Sequence, residues 1–377
     1  MDQETVRFRA VGFDRVRFGE VLGELGVQAA LLTSPESVQY CSGYPVLPSA
    51  GNPILHTLRN QFPPAVLFGP DGRLTLSCWL VSMLGVEFDV DEVNPYLDHR
   101  GALESWSKLM EKVASSGISI GVESTFPLFA LQLFEKVGGK PSQLVFIDEA
   151  LLSMRVLKSP EEIALLERSI AIVEETVEEL YGLLEPGISR LDLIAEAKTR
   201  MLSHGATGVS HVTMSFGKAN PEVAIAEVLE AEKLITLDLG AVVEGYCSDN
   251  RRYAWIGNPP SELLSTHATM VEIVDAVGQS LVPGAREEAV FAKGVELFRG
   301  RGLDPYFIHV GHHIGLQTEE RWLTGDSKEV VKPGMVVNIE LYTPVEGIDF
   351  VGDEETFVVA DGGPRRISRL RREIRVI

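Results

Sequence analysis

Asp238 stands in the run Lys233-Leu234-Ile235-Thr236-Leu237-Asp238-Leu239-Gly240, a carboxylate inside an otherwise apolar strand. An unpaired charge in such a place is costly unless a partner or a metal ion neutralises it. Glu340 repeats the anomaly in Gly334-Met335-Val336-Val337-Asn338-Ile339-Glu340-Leu341-Tyr342, and Glu354 opens another apolar run, Glu354-Glu355-Thr356-Phe357-Val358-Val359. One such residue alone would more readily be salt-bridged or turn-facing, and Glu355 reads as an ordinary exposed acid beside a strand. The three together call for cations. Basic residues near them are few apart from the Arg251-Arg252 pair, so shared divalent ions account for several inward carboxylates better than separate salt bridges.

Two further residues complete a ligand set. Asp249, in Glu244-Gly245-Tyr246-Cys247-Ser248-Asp249-Asn250-Arg251-Arg252, follows Asp238 by eleven positions, and a hairpin turning at Glu244-Gly245 would bring both carboxylates together, able to bridge two ions. His312 comes from Val310-Gly311-His312-His313-Ile314-Gly315-Leu316, where glycines permit close backbone approach. By itself a His-His pair between glycines is as often a polar loop as a ligand.

The elements that must position these residues can be read in outline. Ser159-Pro160-Glu161-Glu162 supplies an N-cap, a proline at the first helical position and a capping-box glutamate. Ile163, Leu166, Ile170, Val173, Val177 and Leu180 follow on one face, predicting a helix to about Leu184, where Pro186-Gly187 ends it. A weak repeat follows. Pro186-Gly187 opens a helix ending near Gly205, and Pro283-Gly284 opens another ending near Gly302. The runs Leu234–Leu239 and Met335–Leu341 come after these helices and are expected to line one central sheet.

Upstream, an amphipathic stretch at Arg15–Leu25, an apolar run Val27–Leu32, a hairpin of Ala65–Phe68 and Leu74–Cys78, a short strand Ile118–Val122 and a helix Leu128–Val137 describe a separate α/β domain without a catalytic cluster. At 377 residues the chain exceeds what one core usually supports. The boundary is expected between about Ala150 and Ser159, with domains over 1–152 and 153–377.

A formal charge of -20 repels phosphate backbones and anionic lipids, so nucleic acid and membrane surfaces are not expected partners. The basic run Arg365–Arg372 reads as a solvated strand or tail offsetting the acidic body. Cys41, Cys78 and Cys247, three with no CxxC spacing, argue against a disulfide framework or a thiolate zinc site. With no signal-like start at Met1-Asp2-Gln3-Glu4-Thr5 and no apolar run long enough to span a bilayer, a cytoplasmic location is expected.

The segments DLG…GYCSDNRR, GHHIGL, PGMVVNIEL and EETFVV, taken in order, resemble the five ligand segments of the creatinase, prolidase and methionine aminopeptidase superfamily. LSMRVLKSPEEIALL at Leu152–Leu166 resembles the opening of that family's catalytic domain in the prolidase and aminopeptidase P branch, so the likeness spans essentially the whole chain. It implies an α/β N-terminal domain followed by an α+β pita-bread C-terminal domain. Asp238, Asp249, His312, Glu340 and Glu354 fall on the five metal ligands, implying two divalent ions, Mn2+ foremost, with Co2+, Zn2+ or Fe2+ as alternatives. Oxygen-rich ligation with one imidazole suits such ions. Two ions about 3.5–4 Å apart would activate water and polarise a carbonyl without a serine or cysteine nucleophile, with Glu340 as proton acceptor. Similar enzymes form homodimers.

The substrate side departs from the family. Its histidine upstream of the first aspartate is absent from Gly217–Val223; seven residues after His312 stands Glu319; and four residues before it stands Ile308. The arginine two residues before the last ligand is replaced by Gly352, whereas Arg252 matches the arginine following the second aspartate. His309 and Glu319 are thus candidate catalytic residues beside Glu340, and His313 and Arg252 candidate substrate contacts. The resemblance implies a metal-dependent hydrolase of C–N bonds, Xaa-Pro dipeptidase-like. A small non-peptide substrate, as in relatives acting on creatine, ectoine or dimethylsulfoniopropionate, is the alternative that the missing histidines favour. A non-catalytic binding module is the third reading.

Overall fold

The computed structural model describes residues 5–49, 52–217 and 222–377, which fall into two compact units, Met1–Arg155 and Val156–Ile377. The first is a mixed six-stranded sheet in the order Glu92–Tyr96, Leu74–Trp79, Ala65–Phe68, Ala29–Leu32, Ile120–Val122, Leu144–Phe146. The predicted hairpin is antiparallel, closed by the Gly69 N–H on the Arg73 carbonyl at 2.9 Å, with Gly72 at φ 75. Trp106, Leu109 and Met110 of the helix His99–Ala114, with Phe134, cover one face of that sheet. Among the described residues no helix is long and apolar enough to cross a membrane.

The second unit begins with the capped helix. The Ser159 hydroxyl accepts the Glu162 N–H at 3.2 Å, and the Glu162 carboxylate accepts the Ser159 N–H at 2.7 Å, satisfying two helix-end donors reciprocally. The helix Pro160–Tyr181 stops short of Leu184 because Gly182, a poor helix former, takes the C-cap. Val173, Val177 and Leu180 pack on Leu237, Leu239 and Ala241 of the strand Leu234–Val243. That strand is buried at every position.

The expected single central sheet resolves into two. One pairs Leu234–Val243 with Gly208–Phe216, Tyr246–Cys247 and Asn250–Trp255, the last extended by Arg375–Val376. The other runs Arg321–Thr324, His309–His313, Val336–Pro344, Phe350–Ala360, Gly363–Arg366. The repeat helices Arg190–Ser203 and Glu287–Gly300 precede the main strand of one sheet each. Periodicity signals strands but cannot say which strands share hydrogen bonds, and this is why one sheet was expected.

The two sheets meet along Asn250–Trp255 and Phe350–Ala360. Arg252, fully buried, donates to the Glu355 carboxylate at 2.7 Å and to the Glu354 carbonyl at 3.2 Å, and the Gly352 N–H donates to the Tyr253 hydroxyl at 3.1 Å. Glu355 is therefore no exposed acid; it is buried with Arg252, Ser368 and Arg372 around it. The basic C-terminal run is likewise partly internal, because Arg372 pairs with Asp353 and with Asp275 at 2.7 Å. Buried carboxylates on Phe350–Ala360 needed cations from sequence-distant arginines.

Candidate metal centre

The aspartates are brought together by a two-residue turn. Val243 pairs with Tyr246 across Glu244 (φ 52) and Gly245 (φ 97), and positive φ at both positions is the type I′ geometry whose twist matches a hairpin. The returning strand sets Arg251 directly opposite Asp238 and leaves Asp249 at its mouth. Both aspartates are buried. On the second sheet Glu340 lies directly opposite Glu354, a like-charge pair that is unfavourable unless a cation joins it. The Tyr342 hydroxyl bridges them, 2.7 Å from Glu340 Oε2 and 3.0 Å from Glu354 Oε2, and Asn338 Nδ2 donates to Glu354 Oε1 at 2.7 Å.

His312 enters through a bulge. In a regular strand residues three apart face opposite sides, but the register shift between His309 and His312 turns both imidazoles toward Glu340. Gly311 makes this possible: its φ is +151, and a Cβ there would lie 2.0 Å from the Asn338 carbonyl oxygen. His312 Nδ1 is 3.3 Å from the His313 carbonyl, which can only accept, so Nδ1 carries a proton. Nε2, buried without a well-aligned hydrogen bond among the described residues, lies 3.4 Å from Asp249 Oδ2 and 3.8 Å from Glu340 Oε1.

The electrostatics point the same way. Burial works to lower the His312 pKa, but Asp249 and then Glu340 carry it up to about 9. Glu354 is pushed well above the carboxylate range by burial and by Asp249, Asp238 and Glu340. The centre therefore demands positive charge.

His312 Nε2 faces Asp249 and Glu340, and Glu354 stands directly opposite Glu340. Among the described residues, donor atoms lie within 4.8 Å of one another in two groups, those of His211, Asp238 and Asp249 and those of His312, Glu319 and Glu340. Oxygen-rich donors with one imidazole suit a divalent ion, which would displace the Nε2 proton and offset the carboxylates. Asp238 is different. Its Oδ2 accepts Arg251 Nε at 3.0 Å and also Nη2, and its Oδ1 lies 3.1 Å from His211 Nε2. His211 Nε2 is also 3.2 Å from Asp249 Oδ1, and Asp249 and Asp238 raise its pKa to about 10 against the burial that would lower it.

The other sequence candidates are placed as follows. His309 packs against Trp322 with ring centroids 4.7 Å apart and planes tilted by 30°, Nδ1 3.9 Å from Glu340 Oε1. Glu319 is exposed and accepts the Trp322 indole N–H at 2.5 Å, yet one carboxylate oxygen lies within 4.8 Å of donor atoms on His312 and Glu340. His313 points away, fully buried, its Nε2 2.8 Å from Glu287. Arg252 also points away, into the junction of the sheets. Neither is brought to the cluster, because each neighbours a cluster residue on a strand and alternation sends it to the opposite face. In Gly217–Val223, positions 218–221 lie outside the described residues.

Sequence reasoning missed His211, Arg251 and Tyr342. His211 lies on Gly208–Phe216, across from Gly240; a Cβ on Gly240 would fall 2.4 Å from the His211 ring, so the glycine of Asp238-Leu239-Gly240 makes room for the imidazole. The alternating run around His211 was legible as a strand, and its one imidazole was the signal. Arg251 was visible as a nearby base, and the register made it a partner of Asp238.

A model described as metallopeptidase family M24 matches residues 164–361. The chain is 28% identical over 367 residues to the uncharacterized peptidase YqhT of Bacillus subtilis, covering 95% of this chain and 98% of that protein. It is 25% identical to a Xaa-Pro dipeptidase of Pyrococcus horikoshii over 94% and 96% of the two chains. The fold is that of the prolidase from Pyrococcus horikoshii OT3, with TM-score 0.81, 21% identity and coverage of 96% and 99%, an N-terminal α/β domain followed by a pita-bread domain. The N-terminal domain of FACT complex subunit SPT16 from chickpea is also similar, with TM-score 0.71 at 16% identity over 95% and 96% of the chains. Fold alone therefore does not decide activity.

Proposed function

Because the chain belongs to the metallopeptidase family M24, we propose that this metallopeptidase hydrolyses a C–N bond of short peptides, with Xaa-Pro dipeptides as the substrate class and a divalent ion, Mn2+ foremost, as cofactor. The observation that carries the reading is His312. Its Nδ1 faces a carbonyl, so Nε2 is the nitrogen turned, buried, toward Asp249 and Glu340. These carboxylates call for positive charge at that point, and a divalent ion would supply it by taking the place of the Nε2 proton. A divalent ion bound there would act as a Lewis acid and make water nucleophilic near neutral pH.

The chain's own groups do the rest. Asp249, His312, Glu340 and Glu354 hold the ion. Glu340 is oriented by the Tyr342 hydroxyl and is the group to take the proton of the attacking water. His309, fixed against Trp322 beside Glu340, supplies an N–H donor to the scissile carbonyl as charge develops on it, a role worth about 100–1,000-fold in turnover. No disulfide links Cys41, Cys78 and Cys247, and the relatives are peptidases by name; a cytoplasmic homodimer belongs to the same reading.

A second reading, a small cationic amide or guanidino substrate, is favoured by Glu319, a carboxylate exposed beside His312 and Glu340. The test is a panel of Xaa-Pro dipeptides, amino-acid amides, guanidino compounds and cyclic amidines with manganese present, repeated after chelation. Chelator-sensitive turnover of Xaa-Pro dipeptides is expected, abolished in His312→Ala. Turnover that persists after chelation removes the metal reading; turnover confined to cationic amides moves the substrate to the second.

A further inference from the structure

Two-ion centres of the kind the family implies need Asp238 as well as Asp249, yet both oxygens of Asp238 already have partners: Arg251 Nε on Oδ2 at 3.0 Å and His211 Nε2 near Oδ1 at 3.1 Å. The Arg251 contact is built into the backbone, because the hairpin register places Arg251 directly opposite Asp238. The guanidinium is further fixed 4.1 Å over the Tyr342 ring, and Arg251 Nε lies 3.7 Å from Glu354 Oε2. It thus touches Asp238, Glu354 and the tyrosine that bridges Glu340 and Glu354. On the other side of the cluster, His312 Nε2 faces Asp249 and Glu340, and among the described residues no arginine or lysine forms an ion pair with Asp249 or Glu340 there.

We propose that the centre holds a single divalent ion, on Asp249, His312, Glu340 and Glu354, and that the Arg251 guanidinium, seated on Asp238 and Tyr342, replaces the second. This rests on the metal-dependent reading above and deepens it. The charges support the exchange. Asp238, Asp249, Glu340 and Glu354 carry four negative charges when ionised; one divalent ion and one guanidinium offset three, and the His211 imidazole bridges Asp238 and Asp249. A second divalent ion would have to enter against Arg251, which keeps its charge at any physiological pH. A guanidinium also differs from an ion in kind. It cannot exchange or be chelated, and it offers directed N–H donors in place of an open coordination position, so it binds a carboxylate or an oxyanion but activates no water.

The alternative is that His211, Asp238 and Asp249, whose donor atoms lie within 4.8 Å of one another, hold a second ion after Arg251 swings out. Metal stoichiometry separates the two. The full chain, stripped with a chelator and titrated calorimetrically with Mn2+, is expected to take up about one ion per chain and to give the spectrum of an isolated Mn2+ in paramagnetic resonance, whereas a two-ion centre takes up two and gives an exchange-coupled pair. Arg251→Thr, which removes the cation and leaves room, is expected to gain the second ion and the coupled spectrum; Arg251→Lys, which keeps the charge, is expected to remain at one. Two ions or a coupled pair in the unaltered chain would overturn the inference while leaving metal-dependent hydrolysis standing. A folded Arg251→Thr that stays at one ion would overturn the role given to Arg251. No uptake at all would overturn the metal-dependent reading and this inference with it.

Discussion

Arg252→Met distinguishes a substrate contact from a structural clamp. The resemblance to the family offered Arg252 as a substrate residue, but its side chain is 1% exposed and its partner Glu355 0%. The guanidinium donates to Glu355 Oε1 at 2.7 Å, the Arg251 carbonyl at 2.7 Å and the Glu354 carbonyl at 3.2 Å. Removing one member of a buried ion pair costs about 3–5 kcal/mol. Glu355 would keep Arg372 Nε at 3.3 Å and the Ser368 hydroxyl, which places the cost near the lower end, while the carbonyls left without a donor add about 1 kcal/mol each. A loss of about 3–5 kcal/mol is expected. The assay is urea unfolding of the metal-free protein, so that metal binding does not add to apparent stability, with kcat and KM measured where the variant is folded. Arg252→Met combined with Glu355→Leu should recover most of the loss, because a matched apolar pair leaves no buried charge. If the single variant loses less than about 1 kcal/mol, the range of an exposed pair, and instead raises KM, the clamp argument is wrong and Arg252 meets substrate.

Gly311→Ala should cost about 1–3 kcal/mol in backbone strain and weaken metal binding with it, since φ +151 and the Asn338 oxygen 2.0 Å from the new Cβ force the His312 strand to shift; calorimetry showing unchanged affinity would refute this. His312→Ala should abolish metal uptake while circular dichroism shows the fold retained. Lys158→Ala, breaking a 2.7 Å ion pair with Glu320 whose side chains are both 1% exposed, should destabilise by about 3–5 kcal/mol. His267 is held below its ordinary pKa by burial, against Tyr253. Its neutral form is the folded one, so its contribution is fully present above about pH 6.5 and is lost as pH falls through the lower folded value; His267→Gln should flatten the melting temperature on the acid side, and an unchanged profile would remove His267 as the cause.

What was legible in the sequence is what depends on local pattern. The Ser159 capping box, the Glu244-Gly245 turn and the Gly69–Gly72 turn each specify a backbone geometry within four residues, and each is formed. An acid in an apolar strand was legible too, because desolvation makes Asp238 and Glu340 anomalous wherever the strand goes. Pairing across sequence was not. Glu340 and Glu354 signalled a need for charge, but only strand register makes them direct neighbours, and only the division into two sheets sets Arg252 against Glu355. The Arg251-Arg252 pair shows the limit most clearly. Read as two nearby bases, the pair was too small to serve three inward carboxylates; in the folded chain alternation parts them, one onto Asp238 and the other onto Glu355. A doublet on a strand serves two faces, so a count of bases near the acids could not tell which face each would reach. His309 is the converse case: a bulge, which periodicity does not reveal, lets it share a face with His312 three residues away. In this chain the ligand types were readable from desolvation, and the cations that compete for them from register alone.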